Sequence, residues 1–140
     1  FIKLKEKYKF ENITILKNID EISNNKYDFI CFGSVIQYVE NYNQILLKII
    51  KVSKKYIFFS GTHFFSKIFN EKKRIIVRQV NFLPSEIYCY FFNFDSFMEI
   101  FITNKFSIIF KEKNTIGNVN YNNFGSSLGN VIYTDLLLSL

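Results

Sequence analysis

The chain has 140 residues, 49% of them apolar and 19% aromatic, with a single proline and a formal net charge of +6. That length and composition fit one domain with a true hydrophobic core and exclude a disordered or low-complexity chain. The charge is mostly lysine, spread over helix faces and turns with small clusters at Lys3, Lys5, Lys7 and Lys9 and at 71–74, not gathered into a patch, so nucleic acid is not an expected partner. Two cysteines, Cys31 and Cys89, make neither a disulfide framework nor a metal-binding pair. Reducing conditions and a cytoplasmic setting are the simpler expectation. No apolar stretch reaches the length of a membrane span, and the start lacks the order of a secretory signal.

Residues 1–10, FIKLKEKYKF, alternate in part and fit either the end of an amphipathic helix or an edge strand. Ile13, Thr14, Ile15 and Leu16 form a short β-branched run, a strand candidate that would leave Lys17 and Asn18 at its end. Asn18 with Glu21 three residues on has the spacing of a helix cap. The run YDFICF at 27–32, bounded by Asn24, Asn25 and Lys26 before it and by Gly33 and Ser34 after it, suits a buried strand. Cys31, inside it, is expected in the core. Ile45, Leu46, Ile49 and Ile50 then recur at helical spacing, with Gln44, Lys48 and Lys51 on the opposite side. Tyr56, Ile57, Phe58 and Phe59 make a second apolar run that ends in Ser60 and Gly61. Strand, helix and strand in so short a stretch predict a βαβ unit with parallel neighbouring strands.

Beyond His63 the pattern loosens. A short helical turn is expected at 64–70, then 74–80 leads into a loop carrying Pro84, followed by an aromatic cluster of Tyr88, Tyr90, Phe91 and Phe92. Asp95 is the expected N-cap of a helix whose apolar face is Phe97, Met98, Phe101 and Ile102 and which Asn104 ends. A strand is expected at 106–110. Residues 117–129, rich in Asn, Gly and Ser, read as a loop before a final strand at 130–134. No internal repeat is visible.

Open parallel sheets bind ligands beyond the carboxyl ends of their strands. Gly33, Ser34, Gln37 and Tyr38 would arrive there after the first strand of the βαβ unit, and Gly61, Thr62 and His63 after the second. A plainer reading is that such loops are polar because they meet solvent. His63 is the only histidine, which excludes a multi-histidine metal site. Its imidazole could act as a general base near neutral pH or serve as an ordinary hydrogen-bonding residue. The aromatic cluster could wall a substrate pocket or simply pack in the core. There is no glycine-rich phosphate loop, no G-x-S-x-G elbow and no Asp-x-Asp metal pair after a strand.

The ordered segments YDFICFGSVIQYVENYNQILLKII, YIFFSGTHF, RIIVRQV and IYCYFF resemble the class I, Rossmann-like S-adenosylmethionine-dependent methyltransferases. More narrowly, they are similar to a bacterial methyltransferase family found with surface-polysaccharide genes. In that family the fourth strand ends in a Ser-Val-Leu-Gln-Tyr-Leu-like segment, matched here by Ser34-Val35-Ile36-Gln37-Tyr38-Val39. The fifth ends in an Asp-Arg-Thr-Pro-Phe-like segment, where this chain has Ser60-Gly61-Thr62-His63-Phe64. A later Tyr-Pro-x-Trp-Phe-Phe-like segment is matched by Ile87-Tyr88-Cys89-Tyr90-Phe91-Phe92. The likeness runs from Ile13 to the end.

The resemblance implies an α/β fold. It would be a partial Rossmann-like methyltransferase sheet from the third strand onward, with a parallel core and an antiparallel carboxyl-terminal strand. The chain would then be the carboxyl-terminal part of a single domain lacking its first two strands, inactive in isolation. S-adenosyl-L-methionine is the implied cofactor, with Asn18 near its adenine and Gly33, Ser34 and Gln37 near its methionine part. The implied acceptor is a small molecule or saccharide bordered by Tyr38, Tyr88 and Tyr90, with His63 as the candidate base. The alternative is a non-catalytic interaction protein that keeps a degenerate α/β fold. Oligomeric state is left open.

Overall fold

A computed structural model describes residues 18–22, 25–66, 73–82, 85–115, 121 and 128–140. The expected strand at 13–16, the alternation at 1–10, Lys17, the 67–70 part of the expected helical turn, Pro84 of the expected loop and most of the expected 117–129 loop lie outside them. Asn18 opens a 3-10 turn, Ile19–Glu21. Its Oδ1 accepts from the N–H groups of Asp20 and Glu21, and its Nδ2 donates to Glu21. The chain continues with β1 (Tyr27–Gly33), a 3-10 turn (Ile36–Tyr38), α1 (Tyr42–Val52), β2 (Ser53–Phe65), β3 (Arg74–Phe82) and β4 (Ser85–Asn93). It ends with α2 (Phe94–Thr103), β5 (Ser107–Lys113) and β6 (Val131–Ser139). Among the described residues no helix is long and apolar enough to cross a membrane.

The strands form one mixed sheet in the order β3-β4-β2-β6-β5, with β1 also paired to β2. β1 runs parallel to the first part of β2, from Tyr27 opposite Ser53 to Gly33 opposite Ser60. The parallel β1–α1–β2 unit is the one its spacing predicts. β4 is parallel to the far end of β2, with Phe64 opposite Phe92 and Phe65 opposite Asn93. β6 runs antiparallel to β2, from Tyr56 opposite Ser139 to Phe65 opposite Val131.

β2 departs most from expectation. Ser60 and Gly61 do not end it, so Gly61, Thr62, His63 and Phe64 lie inside a strand and not in a loop or helical turn. The register against β6 shifts between Phe59 and Thr62, leaving Ser60 and Gly61 together opposite Asp135. This is a β-bulge, and Gly61 takes the left-handed conformation at φ +56 that suits a residue without Cβ. An extra residue reverses the strand's alternation. Ile57 and Phe59 face the main core before the bulge and Phe64 faces it afterwards, while β6 keeps its phase through Ile132, Leu136 and Leu138. His63 and Phe65 are thereby turned to the opposite face of the sheet.

Both helices pack on the main-core face. Leu46, Ile49 and Ile50 of α1 and Phe97, Met98 and Phe101 of α2 close over Ile57, Phe59, Leu136 and Leu138. Each such side chain, taken fully out of water, contributes about 1.5–3 kcal/mol. Asn93, not Asp95, caps α2, because the last residue of β4 already has the extended backbone a cap needs and its Oδ1 accepts from the Ser96 N–H at 3.0 Å. The aromatic cluster belongs to β4, which forms a hairpin with β3. Its Cys89 and Phe91 build a second, smaller core with Phe65 and Leu128 on the other face. Cys31 also corrects the sequence reading. It is exposed, because alternation along β1 sends Phe32 to the main core and Cys31 away from it. The final strand extends past Thr134 to Ser139.

Candidate functional site

The carboxyl end of β1 supplies the first part of the site. Among the described residues a Cβ built on Gly33 would meet nothing within 4 Å, so its Cα faces open space there. Ser34 follows at φ 51, a left-handed conformation that costs a non-glycine residue about 1 kcal/mol. It is held there by its N–H to the Ser60 carbonyl at 2.8 Å and by a 3.0 Å hydrogen bond between its Oγ and the Tyr133 hydroxyl. Gln37, in the next turn, is 1% exposed. Its Nε2 donates to the Gly61 carbonyl at 3.1 Å, while its Oε1 has no partner among the described residues. A buried acceptor left in that state costs about 1–3 kcal/mol, which a ligand's N–H or O–H would recover.

Across the bulge, His63 is 5% exposed and enclosed by aromatic rings. It stacks on Phe91 at 4.5 Å between centroids, tilts against Tyr133 at 4.7 Å and meets Tyr121 edge-on at 5.9 Å. Its Nδ1 shares a 2.7 Å hydrogen bond with the Tyr121 hydroxyl. Burial pushes the imidazole from its ordinary 6.5 down to about 4, so it is neutral at neutral pH. Burial first, then the nearby Tyr133 and Cys89, raise the Tyr121 hydroxyl above the usual tyrosine range, so it too stays protonated. The structure links Ser34, Tyr133, His63 and Tyr121 into one contiguous polar and aromatic chain.

The remaining expected residues divide. Tyr38 donates its hydroxyl to Gln79 Oε1 at 3.1 Å. Its pKa is raised chiefly by burial, with Cys89 and Tyr133 adding to the effect, which places it on the His63 side of the sheet. Tyr88 and Tyr90 alternate with Cys89 and Phe91 along β4 and project from the other face. Tyr90 packs at the main core under the Arg74 guanidinium, 4.3 Å from its ring centroid, while Tyr88 is exposed. They are not brought together with His63. Asn18 keeps its side chain engaged in its own cap. A groove of about 360 Å³ between α1 and α2, walled by Tyr42, Leu47, Lys73 and Glu99, contains none of these residues.

Four residues of the site escaped the sequence reading, one of them Tyr121, which bonds His63. Tyr133 and Asp135 lie in the last strand, and Asn114 follows β5. Asp135 Oδ1 accepts from the Gly61 N–H at 2.7 Å and from Asn114 Nδ2 at 2.8 Å. An aspartate within an apolar strand is a residue the sheet environment disfavours, and that was the available signal.

No protein-family model and no curated protein matches the sequence. Solved structures do. The N-terminal domain of EvdMO1, determined in the presence of SAH and D-fucose, superposes with a TM-score of 0.58 at 10% identity, over 99% of this chain and 58% of that one. A protein from Listeria monocytogenes described as an S-adenosylmethionine-dependent methyltransferase gives 0.60 at 10% identity, over 98% of this chain and 75% of that one. An S-adenosylmethionine-dependent methyltransferase from Clostridium acetobutylicum gives 0.53 at 11% identity, over 99% and 70%. At such identities the likeness is one of fold. The chain has a mixed sheet with flanking helices of the Rossmann-like methyltransferase type, and it spans little more than half the length of the EvdMO1 domain.

Proposed function

We propose that these residues form part of an S-adenosylmethionine-dependent methyltransferase acting on a small-molecule or saccharide acceptor in the cytoplasm. The observation that carries the reading is the rim at the end of β1: open space at Gly33, a left-handed Ser34, and a buried Gln37 whose Oε1 lacks a partner, on a sheet of this fold. The rim fits the methionine end of S-adenosylmethionine. Gly33 leaves room for close backbone approach and Gln37 offers a buried acceptor to an ammonium or hydroxyl. Asn18 would meet the adenine side through its backbone, since its side chain serves the cap.

When bound, S-adenosylmethionine supplies an electrophilic methyl group. What the chain's residues contribute is placement of the nucleophile, an oxygen, nitrogen or carbon, in line with it. Tyr38, Ser34 and Tyr133 present hydroxyls to orient a neutral acceptor, and His63 with Phe91 gives the wall behind them. The low pKa of His63 favours that wall role over proton abstraction, since an acidic conjugate acid accepts a proton poorly. The D-fucose present with EvdMO1 supports a saccharide acceptor, of the kind built into surface polysaccharides. Free thiols at Cys31 and Cys89 suit a reducing compartment. Since matched structures extend well beyond this chain, turnover is assigned to the full-length polypeptide and these residues alone are expected to be inactive.

Calorimetric titration of S-adenosylmethionine into the full-length protein is the test. Saturable one-site binding is expected. Gly33→Val should weaken it at least about tenfold while leaving the melting transition in place, because the added side chain enters open space. A folded sample that takes up no S-adenosylmethionine overturns the reading. That result would favour a non-catalytic interaction protein, for which the 56% exposure of Phe29 on β1 is the supporting observation.

A further inference from the structure

A bulge leaves a backbone N–H outside the strand ladder, and a buried N–H must find an acceptor elsewhere. In β2 that group is the Gly61 N–H, and Asp135, the one residue opposite the two bulged ones, turns its own carboxylate to receive it at 2.7 Å. The same oxygen receives Asn114 Nδ2 at 2.8 Å, and the Asn114 N–H is fixed in turn by the Tyr133 carbonyl at 2.7 Å. Directly over Gly61, the Tyr133 hydroxyl and Ser34 Oγ close so tightly that a Cβ there would overlap the first and come within 2.5 Å of the second. Without the extra residue, alternation along β2 would send His63 into the main core beside Phe59.

We propose that Asp135 is a positioning residue of the candidate site: its carboxylate fixes the β2 bulge, and the bulge turns His63 onto Phe91 and Tyr133 and seats Ser34 against Tyr133. Asp135 acts through Gly61 and touches no reacting atom. Calling the site it orders an acceptor site rests on the methyltransferase reading, whereas the arrangement itself does not.

His63 is the only histidine, so its imidazole resonances report this one place. Among the described residues the titratable side chains around it are Tyr121 and Tyr133, with Cys89 and Tyr38 next to those and Asp135 beyond Tyr133 on the same face of β6, and of these only Asp135 is altered in the test. Wild-type His63, followed by NMR, should titrate near 4. Asp135→Ala removes the acceptor, loosens the bulge and should raise the midpoint by about one to two pH units as water reaches the ring. Asp135→Asn keeps an oxygen able to accept both N–H groups and should return the midpoint to the wild-type value. An unchanged midpoint in folded Asp135→Ala overturns the proposal, and so does an equal rise in Asp135→Asn, which keeps the acceptor oxygen; loss of the carboxylate charge by itself would lower the midpoint, not raise it. If Asp135→Ala does not fold, Asn114→Ala, which frees one side of the carboxylate, should give a smaller rise, and no rise there overturns the proposal. A midpoint that responds in a full-length protein that binds no S-adenosylmethionine supports the role of Asp135 and removes the methyltransferase reading.

Discussion

On the helix-covered face of the sheet, Phe59 meets Phe97 and Phe101 edge-on, with ring centroids 5.3 and 5.6 Å apart, and Phe64 and Phe92 extend the same packing. On the opposite face His63 lies flat on Phe91, and its aromatic neighbours Tyr121 and Tyr133 carry hydroxyls, one bonded to the imidazole and one to Ser34. The first arrangement gains from dispersion and burial and asks for no polar partner. The second also depends on each hydroxyl and ring nitrogen finding its partner. Stability should therefore be concentrated on one face and pH sensitivity on the other.

The largest expected effect is on the helix face. Phe101→Ala empties a fully buried position in contact with Phe59, Phe97 and Phe106 and should cost about 3–5 kcal/mol in urea unfolding. A loss below about 1 kcal/mol would mean that this face is not the main store of stability.

The next effect belongs to the other face and appears with pH. The unfolded chain binds a proton at His63 with the ordinary pKa of 6.5, the folded chain only near 4. Between those values the unfolded state holds more protons, so stability rises with pH. The His63 contribution is complete above 6.5, declines as the pH falls through the window, and declines no further below 4, for a total of at most about 3 kcal/mol. His63→Phe should remove that part of the acid destabilisation. Parallel losses in the two proteins on going from neutral pH into the window would show that His63 is not held neutral by burial.

The smallest effect is a single hydrogen bond. Tyr121→Phe keeps the ring against His63 and Phe91 but deletes the hydroxyl 2.7 Å from Nδ1, and should cost about 1 kcal/mol at neutral pH. No loss in denaturant midpoint would assign the ring contact, not the hydroxyl, as the useful part of that pair.

The helix face was legible in the sequence and the other face largely was not. Helical spacing located α1 and α2, and apolar runs located β1, the start of β2 and β5, because local periodicity reports directly on which side chains meet the core. Ser60 and Gly61 misled, since the same two residues signal a strand end and a bulge, and only the register with a distant strand separates them. The aromatic run at 88–92 hid its alternation because residues of both faces are apolar there. Asp135, Asn114 and Tyr133 join the site through contacts with residues far away in sequence, which no local pattern encodes. Asn18 and Glu21 were read correctly because that cap is complete within four residues.

The ladder between β2 and β6 joins Tyr56 to Ser139 and Phe65 to Val131, segments with two hairpin strands, a helix and β5 strung between them. The β1–α1–β2 unit and the β3–β4 hairpin can form from near neighbours, yet neither closes the core around Phe59, since Leu136 and Leu138 arrive only with β6. Joining distant segments costs loop-closure entropy before it gains contacts. Among the described residues the core around Phe59 is closed only when β6 enters between β2 and β5, so the two halves of the sheet should become stable together with the late insertion of that one strand.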